Sequence, residues 1–235
     1  MSATSTPGSQ TLSRGIRLLE IIAASEQPPT IAELAASLGV HRSVAYRLLV
    51  TLESHGLVSR DASGRLLLGA GLAALAAGVS RDLQQAALPE LNAVANELGM
   101  TCLLAVQLDH EEAVTLISAS PRQTVAVVSY RPGHRHPITR GGPGKAILLS
   151  LPAEAWPDDV DEPLRDEIAL SRRRGYALSH DEVVPSLWSV AVPLTLPGQP
   201  PASIAVIHVS LPHDEERIAE RLTAAGGKIT RAYGA

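Results

Sequence analysis

The chain has 235 residues, 45% of them hydrophobic, 19% charged and 3% aromatic, with a formal net charge of -4. This globular composition excludes a low-complexity or disordered chain, and the charge excludes a uniformly basic coat for nucleic acid. The length fits one large domain or two small ones. The single cysteine, Cys102, excludes an intramolecular disulfide and a multi-cysteine zinc site. It lies in the apolar run Thr101-Cys-Leu-Leu-Ala-Val106, where a small buried hydrophobe is expected. Met1 to Gln10 lack the apolar segment of a secretory signal, and no apolar run reaches the ~18 residues of a membrane span. A soluble cytoplasmic protein is expected.

Charge is unevenly shared. Residues 1–70 hold six arginines against five acids, a balance of +1 that leaves the remainder at -5, so two modules with different partners are expected. The first reads as three helices and a hairpin. Leu12, Ile16, Leu19 and Ala23 recur at helical spacing and predict a buried stripe, ended by Gln27-Pro28-Pro29. Thr30-Ile-Ala-Glu33 is a capping box, after which Ile31, Leu34, Ala35 and Leu38 fill one face and Gly39 supplies a left-handed stop. A third helix is predicted from His41 to Ser54. Leu57–Arg60 and Arg65–Leu68 read as short strands around the turn Asp61-Ala-Ser-Gly64.

Residues 70–100 read as helical. Leu72, Leu75, Ala76 and Val79 form one stripe, and Leu88, Leu91, Val94, Ala95 and Leu98 a second, stopped by Gly99. The first stripe suits a connector or dimer helix, or equally a helix lying on its own domain. Beyond it, strands are predicted at 101–108, 113–119, 124–130, Leu187–Leu196 and Ala202–Ser210. Helices are predicted at Gly144–Leu151, Asp161–Arg174 and Asp214–Tyr233. Hairpin-linked strands bracketed by helices predict an antiparallel sheet with helices packed against it, so the fold class is α+β.

The third helix carries the chemistry. At 100° per residue, Val44, Ala45, Leu48, Leu49 and Leu52 fall in one arc of about 140°. Arg42, Ser43, Tyr46, Arg47 and Val50 fall in the opposite arc, which has no acid in its N-terminal half. Two guanidiniums, a hydroxyl and a phenol are the groups that meet phosphates and base edges in a major groove, although a solvated face has the same look. The preceding short helix and turn, and a hairpin with Arg60 and Arg65 at its base, favour a winged helix-turn-helix.

These residues resemble the IclR-type bacterial transcriptional regulators. The matching stretches are Leu12-Ser-Arg-Gly-Ile-Arg-Leu-Leu19, Val40-His-Arg-Ser-Val-Ala-Tyr-Arg-Leu-Leu49 and Gly64-Arg-Leu-Leu-Leu-Gly69. In the second module they are Gly144-Lys-Ala146, Arg174-Gly-Tyr176, Asp181-Glu182 and Val190-Ala-Val-Pro193. The resemblance implies a tail over 1–8, a winged helix-turn-helix DNA-binding domain over 9–70, a connector helix over 71–83 and a GAF-like effector-binding domain over 84–235. It implies homodimers, often paired as homotetramers, that bind double-stranded operator DNA as a repressor under the control of a small organic effector. By the same resemblance Arg42, Ser43, Tyr46 and Arg47 lie on the recognition helix, while Arg14, Arg60 and Arg65 lie near the DNA backbone.

The effector pocket implied by the resemblance lies between the sheet and the loop entering the Gly-Lys helix. It brings in Gly142, Pro143, Ser179, Ser189, His208 and Ser210. Arg140-Gly-Gly-Pro-Gly-Lys145, with Gly144, would expose backbone N–H groups to a carboxylate, or the glycines serve a tight turn only. The family segment Glu-x-x-x-Gly-x-Arg-Cys is altered here to Ser186, Trp188 and Ser189 after Glu182, and a frequent pocket acid is Ser179. Trp188 could stack on a planar ligand or fill the core. Loss of the acid with gain of His208 favours an anionic effector, or His208 is a core histidine. A constitutive DNA binder whose altered pocket takes no effector is the alternative reading, and an enzyme in the GAF-like half is a remote one.

Gly144-Lys145 is not a P-loop, since Thr139 and Ala146 stand where glycine and Ser/Thr are needed; Lys145 is expected to cap acids or carbonyls. His134-Arg-His136, with His136, His180 and His208 as outside ligands, is weak evidence for zinc. No metal, cofactor, catalytic set or membrane partner is expected. Arg172-Arg-Arg174 suits a helix C-terminus.

Overall fold

The computed structural model describes residues 8–122, 130 and 132–234. The chain forms two compact units, 1–79 and 80–235. The strand expected at 124–130, apart from Tyr130, and the tail at 1–8, apart from Gly8, lie outside the described residues.

The first unit holds α1 (Gln10–Ala24), α2 (Ile31–Ser37), α3 (Arg42–Ser54), β1 (Val58–Arg60), β2 (Leu66–Leu68) and α4 (Gly71–Ala76). Thr30 and Glu33 close a reciprocal capping box at the start of α2, and Gly39 takes φ 64° after its end. Leu18, Ile22, Leu34, Leu48, Leu49, Val58 and Leu66 make the core. Full burial of each such side chain is worth about 1.5–3 kcal/mol relative to exposure.

The stripe predicted on α1 is out of phase. Gly15, Leu18 and Ile22 are buried, whereas Leu12 is 64% and Ile16 50% exposed. α1 carries apolar residues on more than one face, and only the face that meets α3 and β2 is covered within the unit. The hairpin is as expected, with Asp61 Oδ1 accepting from the Ser63 amide and hydroxyl and from the Arg65 amide. A Cβ on Gly69 would lie 2.1 Å from the Gly56 carbonyl oxygen, so only glycine lets β2 run on beneath the end of α3. The helix read across 71–83 is interrupted: α4 ends at Ala76, and Ser80 is left-handed before α5 begins.

The second unit runs α5 (Arg81–Leu98), β3 (Thr101–Gln107), β4 (Glu112–Ala119), β5 (Arg135–Pro137), α6 (Gly141–Ser150), α7 (Glu162–Arg174), β6 (Ala177–His180), β7 (Trp188–Leu194), β8 (Ala202–His208) and α8 (Glu215–Tyr233). The strands form one antiparallel sheet in the order β5-β4-β3-β8-β7-β6. Period-two alternation divides its side chains. Cys102, Leu104, Val190, Val192, Ile204 and Val206 share a core with α5 and α8. Leu103, Ala105, Ala191, Ala205 and Ile207 face α6 instead. Within α5, Leu91, Val94, Ala95 and Leu98 are buried as read, but Leu88 is 42% exposed and Leu83 and Ala87 take the inward phase.

Candidate DNA-binding surface and ligand cleft

On α3 the two arcs separate as the periodicity requires. Ala45, Leu48 and Leu49 are buried; Arg42, Ser43, Arg47 and Tyr46, the last 53% exposed, face solvent and line one open concavity with His41. His41 caps the helix, its Nδ1 accepting from the Ser43 amide at 3.3 Å and lying 2.9 Å from the Ser43 hydroxyl. Among the described residues, the guanidiniums of Arg42 and Arg47 have no hydrogen-bond or ion-pair partner. Two unspent cations on an exposed helix, with a donor-acceptor phenol between them, can serve a polyanion.

Arg60 and Arg65 are engaged. Arg60 donates to both oxygens of Glu53, at 2.6 and 3.3 Å. Arg65 donates to the Pro28 carbonyl at 2.7 Å and lies 3.8 Å from Glu33. Arg65 therefore ties the wing to the segment before α2. Arg14 is half-buried on α1.

The second unit has a narrow cleft between the α6-facing side of the sheet and the segment after β6. Tyr130, His136, Gly142, Ser179, Glu182 and Ser189 are among its lining residues. The N-terminus of α6 is already capped from within. The Gly141 amide donates to Glu182 Oε2 at 2.9 Å, and the Gly142 amide to the Ser179 hydroxyl at 2.8 Å. Lys145, 3% exposed, donates to Glu167 at 2.7 and 2.9 Å and to Glu182, as a capping lysine should. A Cβ on Gly142 would sit 2.5 Å from Ser189 Oγ, and one on Gly144 2.6 Å from the Pro137 carbonyl oxygen. The glycines thus serve close packing, and the carboxylate that takes the exposed amide is the chain's own.

His136 is 2% exposed, and among the described residues neither ring nitrogen has a partner; the Ser189 hydroxyl, also buried, has none there either. Burial pushes the imidazole down to about 4, so it is neutral near pH 7. Burial raises the Tyr130 phenol to about 12. The Cys102 thiol, fully buried, is also pushed up, which keeps it from acting as a thiolate.

The IclR helix-turn-helix domain model matches residues 11–62, the span of α1, α2, α3 and the start of the wing. The transcriptional repressor IclR of Escherichia coli (strain K12) is 28% identical over 99% of this chain and 93% of its own length. An IclR transcriptional regulator from Alicyclobacillus acidocaldarius superposes with TM-score 0.85 at 25% identity, covering 97% of this chain and all of that one. The chain carries an IclR helix-turn-helix domain and is similar over nearly its whole length to IclR-type transcriptional regulators. An IclR homolog from Microbacterium hydrocarbonoxydans, solved with 4-hydroxybenzoate, shares the fold at TM-score 0.80 and 24% identity, over 96% and 99% of the two chains.

The sequence-derived effector set splits. Gly142, Pro143, Ser179 and Ser189 gather in the cleft, and Gly144 lies one residue further along α6. Trp188 and His208 do not join them. They pair across β7 and β8 at positions of the opposite parity to Ser189 and Ile207, and so belong to the sheet face covered by α5 and α8. The Trp188 ring stacks on His180 at 4.1 Å, and His208 Nδ1 lies 2.9 Å from the Ser210 carbonyl oxygen and accepts from its amide. Ser210 is exposed beyond the strand end. The case for an anionic effector rested on the loss of an acid at Ser179 together with the gain of His208, and this placement removes His208 from the cleft. His136 likewise lies on the other side of the sheet from His180 and His208.

Sequence reading missed His136 as a cleft residue. The signal was there: His136 and Ile138 are both buried, two apart on either side of exposed Pro137, as in a strand. In the basic run of the last turn of α7, Arg172 acts as a capping device: it donates to the carbonyls of Leu148, Leu149 and Leu151 at the end of α6 and stacks 5.2 Å from Trp156. No described helix is long and apolar enough to cross a membrane.

Proposed function

We propose that this protein represses transcription by binding operator DNA as a homodimer, with a small organic effector in the α6 cleft setting its affinity. The observation that carries the first half is the exposed, unpartnered Arg42 and Arg47 on α3, at the helix position matched by the family domain. Ser43 and Tyr46 supply further contacts, and the wing with Arg60 and Arg65 lies against the backbone. The exposed Leu12 and Ile16 of α1, with Leu75 at 67% and Val79 at 52%, support a second copy as partner. Repressors among the relatives, and the 4-hydroxybenzoate bound to the Microbacterium hydrocarbonoxydans homolog, support the sign and the effector.

Coupling follows from linkage: an effector that binds the DNA-free arrangement better than the DNA-bound one weakens operator binding by the same factor, typically about 1–3 kcal/mol. The test is selection of genomic fragments by the purified protein, followed by footprinting, with Arg47→Ala in parallel. A discrete protected site that weakens by about 1–3 kcal/mol in the variant is the expected result. No enrichment over bulk DNA, at low salt as well as physiological salt, would overturn it.

A further inference from the structure

His136 and Ser189 present an unusual combination. Both are more than nine-tenths buried, both line the α6 cleft, and neither side chain has a hydrogen-bond partner among the described residues. Buried polar groups are nearly always satisfied, so two orphans facing one cavity mark a place where something else supplies the bond. The chemistry they can accept is limited. A neutral imidazole offers one donor and one acceptor, and a serine hydroxyl offers both. The buried Thr115 hydroxyl on β4, one strand from His136, is a third orphan of the same kind.

Charge narrows the choice further. Among the described residues no lysine or arginine lines the cleft, and Glu182 does. Arg140, the residue before the α6 N-terminus, lines a separate cleft with Lys145, and Lys145 is committed to Glu167 and Glu182. The two amides at that N-terminus already donate to Glu182 and Ser179. An entering carboxylate would therefore meet a carboxylate, with no cation among the described lining residues and neither of those two amides free to compensate it.

We infer that the α6 cleft takes an uncharged molecule bearing a hydroxyl, carbonyl or amide, which hydrogen-bonds to His136 and Ser189. This rests on the effector reading above and assigns its chemical class. The remainder of the ligand is apolar, lying against Val183, Val184, Leu187 and Ile207. The cavity measures about 30 Å³, room for one or two waters, so an organic occupant displaces the 181–187 segment as it enters. Asp181 and Ser186, both in the left-handed region at φ 61° and 63°, mark the two ends of that segment.

The experiment uses the full-length protein with 15N-labelled histidine. The His136 ring nitrogens are assigned by their loss in His136→Leu, or in His136→Gln should the leucine variant not fold. Three matched pairs are titrated: acetamide and acetate, benzamide and benzoate, 4-hydroxybenzamide and 4-hydroxybenzoate. The amide of at least one pair shifts the His136 resonances and binds at least about tenfold more tightly than its carboxylate. That binding is lost in the His136 variant and weakened in Ser189→Ala. A carboxylate that binds as well as its amide overturns the inference. So does silence from all six probes, which would leave a ring satisfied by water alone. Operator binding is measured on the same samples. Operator affinity retained while the probes fail sinks only the ligand class, and absent operator binding sinks the regulator reading instead.

Discussion

Arg47 and Arg65 are both arginines of the first unit, yet they do different work. The Arg47 guanidinium is exposed and unpartnered among the described residues, so Arg47→Ala should leave thermal stability unchanged while weakening operator binding. Arg65 anchors the wing through the Pro28 carbonyl, so Arg65→Ala should lower the melting temperature, with about 1–2 kcal/mol lost for a charged hydrogen bond that is half exposed. Paired melting curves and gel shifts separate the two; equal effects on both readouts would contradict the assignment. His136 provides the opposite case. An orphaned buried imidazole costs stability, so His136→Leu should raise the melting temperature of the unliganded protein. The wild type also carries an acid liability there. The unfolded ring titrates near 6.5 and the folded one near 4. Between those values the unfolded chain holds the extra proton, so stability falls as pH drops from about 6.5 to about 4, by up to about 3 kcal/mol, and levels off below. Burial lowers neighbouring His134 as well, which adds to the same slope. Urea unfolding at a series of pH values should show that slope shrink in His136→Leu. Residue by residue, the exposed polar face of α3 was legible because one amphipathic helix states both its faces. The cleft was not, because whether Ser189 and Trp188 share a site depends on strand parity, which sends adjacent residues to opposite sides of a sheet.

At the scale of elements, α6 is the most constrained piece of the second unit. Every residue from Gly141 to Leu148 is buried, including Lys145. Gly144 packs against the backbone of Pro137 and Ile138, so Gly144→Ala should push α6 off β5 at a cost of about 1–3 kcal/mol. Lys145→Met removes the cation between two carboxylates and should cost about 3 kcal/mol, of which Glu167→Gln and Glu182→Gln in the same chain recover a part. A triple variant no more stable than the single one would show that Lys145 packs rather than neutralises. The sequence marked a Gly-Lys helix here, but its start was read at Gly144, three residues late, because two glycines and a proline look like a loop until they are packed. Strands β5 and β6 were missed for a related reason: at three and four residues they are too short to show a period. The longer strands β3, β4, β7 and β8 and the helices α7 and α8 follow their patterns closely, since alternation and caps such as Asp161 and Asp214 fix them locally.

For the whole molecule, the apolar residues left outside the first unit's core are what the proposed homodimer rests on. Leu12 and Ile16 on α1, Leu75 on α4 and Val79 just after it are large hydrophobics that a lone chain leaves in water. Leu12 and Ile16 were read from the sequence as part of a core stripe with Leu19 and Ala23. Leu19 does pack against the core, but Leu12 and Ile16 stay exposed. In the proposed homodimer a second copy covers them, and operator reading becomes bivalent. Each recognition helix alone holds DNA weakly, and joining two multiplies affinity through effective concentration. Ile16→Glu with Leu75→Glu should therefore shift the protein toward monomer in sedimentation equilibrium. Because all four side chains are exposed, the helix content of the chain should not change. Operator affinity should fall by a factor well above that of either helix's contacts, on the order of a hundredfold, while weak non-specific DNA binding, which needs only the arginines of α3, persists. A double variant that remains a dimer at micromolar concentration, or that keeps full operator affinity as a monomer, would place the assembly interface elsewhere on the chain.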